Sequence, residues 1–149
     1  MTIAATDIAV VYPIACSPRL IMGFIRNRDD LLELELPRNR SCAVAARRFV
    51  ERAVGAMLSG ERLDDLKLVV TELVENAYVH GRGEIVLRLR PRRDAVRVEV
   101  VDQGRGARVG IREQNRDPGG WGLRLVDLLA VSWGVHNGFT HVWAVVRLR

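Results

Sequence analysis

The sequence predicts an α+β fold, a two-layer sandwich with a mostly antiparallel mixed sheet and helices on one face. Three observations carry this. The length of 149 residues, 48% apolar and 28% charged, describes one globular domain with a core of ordinary size. Between Arg62 and His80 apolar residues recur at helical spacing, at Leu63, Leu66, Val70, Leu73 and Ala77 and again at Leu68, Val69 and Val74. Elsewhere short alternating stretches follow one another across turn residues, which places strands in hairpins beside separate helices.

Residues 1–30 show no clear period and are treated as an N-terminal extension, open to three readings: a loose extension, a partner-binding arm, or an added strand around Ala9 to Ile14. Leu31 to Leu36 (LLELEL) alternates apolar and acidic side chains and reads as a strand with one buried face, ended by Pro37. A helix follows with Ser41 as the expected N-cap and an apolar stripe of Val44, Ala45, Phe49, Val50 and Val54. Ser59-Gly60 is the turn into the central helix. That helix is expected to stop at Gly81, a residue suited to a left-handed cap. Glu84 to Arg90 and Ala95 to Val101 form a hairpin across the polar linker Pro91 to Asp94, with Arg88, Arg90 and Arg97 on its solvated face. A charged, aperiodic stretch from Ala107 to Pro118 reads as a mobile loop. Gly119 to Gly122 then leads into a short helix, Leu123 to Ala130, and a last hairpin turns at Asn137-Gly138.

Composition excludes several classes. The formal charge is +5, but the arginines are scattered, acids are interleaved, and Lys67 is the only lysine. No basic run carries aromatics, so no direct nucleic-acid binding is expected. Cys16 and Cys42 lie far apart, neither a metal spacing nor a disulfide framework, and a reduced, cytoplasmic protein is expected. Ile8 to Cys16 is apolar, but no positive residue precedes it and Pro13 interrupts it, which argues against a signal peptide. No apolar run approaches the roughly 18 residues of a membrane span, so no membrane association is expected.

Three local patterns carry chemistry. Glu72 and Asn76 are four residues apart on the central helix and therefore share one face. A carboxylate there can take a proton, and a carboxamide oxygen can ligate a hard cation. Asp102-x-Gly104-x-Gly106 places a carboxylate at a strand end where bare backbone permits close approach, as to an exocyclic amine. Gly120-x-Gly122 before a helix offers backbone N–H groups suited to phosphate. Taken singly, each also fits an ordinary solvated face, strand-end turn or helix start. There is no G-x-x-x-x-G-K-[ST], which excludes a P-loop, and no early dinucleotide fingerprint.

In this order and at these intervals the three patterns resemble the Bergerat-fold (GHKL, histidine-kinase-like) ATP-binding domain. The wording TELVENAYVHG, VDQGRG and GGWGLRLVDLLA, followed by WGVHNGFTHVWAVV, is most similar to bacterial anti-sigma-factor serine/threonine kinases. The resemblance covers residues 31–149. It implies ATP and Mg²⁺ as ligands, Glu72 as general base and Asn76 as the Mg²⁺ ligand. Asp102 would meet the adenine amino group, with Gly104 and Gly106 letting the base approach. Gly120, Gly122 and Leu123 would cradle phosphates, and Thr140 would lie near Asp102. A lid would run from about Arg105 to Gly119, with Arg105, Arg108, Arg112 or Arg116 neutralising charge. The implied function is phosphorylation of an anti-anti-sigma (STAS-type) partner, or capture of a sigma factor, so that transcription is controlled by partner switching. A homodimer is among the implied assemblies.

The competing reading is a non-catalytic module in which ATP gates protein binding alone; Glu72→Ala separates the two. A histidine-kinase catalytic domain is less expected, because no helical segment with a phosphoacceptor histidine precedes the domain. Glu75 is expected at the surface and His80 near the helix cap. Trp121 is expected either under the lid or as an anchor of its helix.

Overall fold

A computed structural model describes residues 8–9, 24–25, 31–58, 60–104, 121–136 and 141–148. Two short strands, β1 (Ile8–Ala9) and β2 (Phe24–Ile25), pair antiparallel. The main sheet comprises β3 (Leu32–Leu36), β4 (Ile85–Pro91), β5 (Ala95–Asp102), β6 (Ser132–His136) and β7 (His141–Arg147) in the order β3-β4-β5-β7-β6. Among the described residues every pairing of these strands is antiparallel. Helices α1 (Cys42–Val54), α2 (Gly60–His80) and α3 (Trp121–Leu129) accompany it. This is the two-layer α+β architecture expected from the sequence.

The period-2 pattern explains the sheet. Ile85, Leu87 and Leu89 of β4 and Val96, Val98 and Val100 of β5 are buried on one face. Leu66, Val69, Val70, Leu73, Val74 and Ala77 of α2 are buried in the same core, so α2 lies across the sheet centre. Each such Val or Leu contributes about 1.5–3 kcal/mol on burial.

Several expectations change at this level. Leu68 and Val44, counted in the apolar stripes, are 46% and 39% exposed. The neighbouring Val69 and Val70, and Cys42, Ala43 and Ala46, fill the core instead. Ser41 makes no side-chain cap. Asn39 instead closes a turn just ahead of the helix: its Oδ1 accepts from the Ser41 N–H at 2.8 Å and from Ser41 Oγ at 2.6 Å. The first helix ends at Val54, and one turn of 3-10 helix, Gly55–Met57, completes the segment. Gly81 does not take the left-handed conformation, and its N–H continues the helical pattern by donating to Ala77 O at 2.9 Å. The left-handed residue is Gly83, with φ of 65°.

Candidate functional site

The site forms along α2, with one end facing α3 and the other facing the end of β5. Glu72 and Asn76 are both half-buried and one turn apart, as their spacing requires. Asn76 makes no side-chain hydrogen bond among the described residues. Gly122, in the first turn of α3, lies against the Glu72 carboxylate, and a Cβ there would overlap Glu72 Oε2. Burial, with the neighbouring Glu75 carboxylate second, pushes the Glu72 carboxyl up from the usual range. Leu123 packs against the core behind this point, and Trp121 is 67% exposed with the Arg124 guanidinium 5.6 Å from its ring centre. Trp121 therefore does not anchor α3 in the core.

At the other end, Asp102 closes β5 with only 8% exposure. Its Oδ1 accepts from the Gly104 N–H at 2.8 Å and the Arg82 N–H at 3.2 Å. Oδ2 is turned toward Gly81, where an added Cβ would fall 2.5 Å from it. Gly104 is needed for contact of a different kind: a Cβ there would meet Arg82 N at 2.7 Å. The turn after α2 is thus seated on the start of the 102–104 segment. The Gln103 N–H donates to Arg82 O at 2.9 Å, and the Gln103 side chain donates to Glu84 Oε2 at 2.9 Å.

Glu72 and Gly81 are nine positions apart in numbering, so at about 1.5 Å per helical residue they are roughly 13 Å apart along the axis. A buried carboxylate stands at one end of this span and a helix N-terminus at the other. That separation suits an extended nucleoside triphosphate, base at Asp102 and phosphates toward α3. Oδ2 of Asp102 is an acceptor with no hydrogen bond among the described residues, which fits an exocyclic amine. Among the described residues no three His, Cys, Asp or Glu side chains cluster as a metal site. A cation here would rely on phosphate and water oxygens beside a single protein oxygen such as that of Asn76.

Of the residues expected from sequence, Glu72 and Gly122 meet between α2 and α3, with Asn76 one turn along α2 and Leu123 next to Gly122 in α3, and Asp102 and Gly104 meet at the strand end. Gly106, Gly120, Thr140 and the lid arginines lie outside the described residues. Sequence reasoning missed Arg38. Its guanidinium donates to Gly83 O at 2.5 Å, Tyr78 O at 2.9 Å and Ala77 O at 3.1 Å. The helix end needed donors for its last carbonyls, but nothing local pointed to a residue some 40 positions earlier.

Among the described residues no helix is long and apolar enough to cross a membrane. Comparison with curated proteins gives no match. A model of the histidine kinase-like ATPase domain matches residues 37–146, from the end of β3 to the end of β7. The matched span contains every described element that builds this site, and the chain belongs to the histidine kinase-like ATPase domain family.

Proposed function

We propose that the protein is an ATP-dependent serine/threonine kinase of the anti-sigma-factor type. The observation that carries the reading is the half-buried Glu72 carboxylate, basic for its kind, held beside the first turn of α3. A pure nucleotide binder has no use for a base at the phosphate end. Asp102 accepts from the adenine amino group, and Gly104 keeps the backbone close. Gly122 and Leu123 form the phosphate end, and the resemblance adds Gly120 to it. Asn76 would hold Mg²⁺, which when bound would neutralise phosphate charge.

In the reaction Glu72 takes the proton of a serine or threonine hydroxyl on the partner. The hydroxyl oxygen forms a bond to the γ-phosphorus as the bond from that phosphorus to the β–γ bridging oxygen breaks, and ADP leaves. Positioning and charge neutralisation supply most of the catalysis. The partner is an anti-anti-sigma protein of STAS type, and its phosphorylation state decides whether this protein holds it or a sigma factor.

Calorimetric titration of Mg-ATP into the wild type and Asp102→Ala tests the nucleotide site. Micromolar binding is expected, weakened in the variant by roughly 10- to 150-fold, the equivalent of about 1.5–3 kcal/mol for a hydrogen bond to a charged group. Glu72→Ala should bind ATP as the wild type does and fail to transfer phosphate to a STAS-type acceptor. Unchanged transfer would remove Glu72 from the mechanism.

A further inference from the structure

We propose that Arg38 is a positioning residue for the Asp102 carboxylate and so governs how well the site selects adenine. The proposal rests on the reading of Asp102 as the base-recognition group. Its structural half, that Arg38 sets the carboxylate's amide partners, stands independently of that reading.

Asp102 is held by two backbone amides, and one of them, the Arg82 N–H, belongs to a segment that is neither helix nor strand. Residues 81–84 must pass from the end of α2 to the start of β4 while keeping Gly81 against Asp102 Oδ2 and the Arg82 N–H on Oδ1. On one side this turn is joined to Gln103 through the Arg82 carbonyl and the Glu84 side chain. On the other side Arg38, from the turn between β3 and α1, reaches across. One guanidinium nitrogen donates to Gly83 O, within the turn, and the other two donate to Ala77 O and Tyr78 O, the last carbonyls of α2. A single planar group therefore fixes the distance between the helix end and the turn. Gly83 has φ of 65°, so its carbonyl points where the helix alone would not direct it.

An arginine suits this position because its fork offers several donors in a fixed plane. A lysine presents one ammonium on a flexible stem and cannot span all three oxygens with the same constraint. Without Arg38 the turn keeps its bonds to Asp102 and Gln103 but loses its tie to the end of α2 through the guanidinium. The Arg82 N–H then leaves Oδ1 more often, and the carboxylate loses the orientation that aims Oδ2 past Gly81. A misaimed carboxylate still repels guanine O6 less and attracts the adenine amine less, so discrimination narrows from both sides.

The test compares wild type, Arg38→Ala and Arg38→Lys in two measurements. Amide hydrogen exchange in the nucleotide-free protein is read at Arg82 and Gly104, with Val98 in the core of β5 as reference. Arg38→Ala should accelerate exchange at both amides by about tenfold relative to Val98, and Arg38→Lys should fall between. Acceleration at all three sites alike would show a general stabilising role only and overturn the proposal, as would unchanged exchange. Titration with ATP, GTP and inorganic triphosphate is the second measurement. Arg38→Ala should lower the ATP-to-GTP affinity ratio by about tenfold and leave triphosphate affinity unchanged. Equal losses for all three ligands, or an unchanged ratio, would overturn it. If the wild type binds no nucleotide, the kinase reading fails, while the exchange measurement still decides the role of Arg38.

Discussion

Gly81 sits so close to Asp102 that a single methyl group at position 81 would fall 2.5 Å from Asp102 Oδ2 and 2.5 Å from Ala77 O. The second neighbour is a backbone oxygen inside α2 and cannot move aside. Gly81→Ala is therefore expected to displace the Asp102 carboxylate and cost about 1–3 kcal/mol of stability. Thermal unfolding should show a fall of several degrees, at roughly 2–4 °C per kcal/mol for a chain of this size. ATP affinity should fall with it. A variant as stable and as tight-binding as the wild type would contradict this packing.

Gly122 makes the opposite case. The atom that a methyl group would meet there is Glu72 Oε2, the far end of a flexible side chain. Gly122→Ala should therefore fold with little loss of stability, by turning Glu72 away. Phosphoryl transfer should drop more than ATP affinity does. Measuring kcat beside the calorimetric Kd separates the two effects.

Glu72 carries a pH signature. Burial and Glu75 raise its folded-state pKa, so its charged form is disfavoured in the folded protein. The stability linked to this group is present at low pH and lost as pH rises through the raised value. Glu72→Gln should thus be more thermostable than the wild type at neutral pH, with the gap closing in acid. The same substitution should reduce transfer by about 10²–10⁴-fold, the usual contribution of a general base. In the wild type the acid limb of the rate profile should lie above the pH expected of an ordinary glutamate.

Glu99 provides a stability test away from the site. It is 6% exposed on the sheet face opposite the helix layer, accepts from Arg97 Nε at 2.7 Å, and lies 3.2 Å from His141 Nε2. Burial works against its charge, but the bond from Arg97, with His141 and Arg90, holds the carboxyl below its usual range. That stability is present above the unfolded-state pKa and lost as pH falls through the depressed value. Glu99→Gln should cost about 2 kcal/mol at neutral pH, roughly 4–8 °C in Tm, with the difference shrinking in acid.

The sequence alone determined the order of elements and the chemistry spaced along them. Periods of 3.6 and 2.0 are local properties, so α2, the hairpin of β4 and β5, and the placement of Glu72, Asn76 and Asp102 were all legible. The entry to α1 was less so, because only the folded backbone turns Ser41 away from a capping role and brings Asn39 Oδ1 to the Ser41 N–H. The tertiary structure decided what meets across the chain. Gly81 was read as a conformational stop and proved to be a point of close approach, while the left-handed residue is two positions later. Pairing of Ile85 with Asp102 brings residues 81–84 beside residues 102–104, and pairing of Leu36 with Ile85 brings Arg38 to the same corner. These meetings depend on strand register, which is fixed by burying one face of the whole sheet at once rather than by any local run of residues.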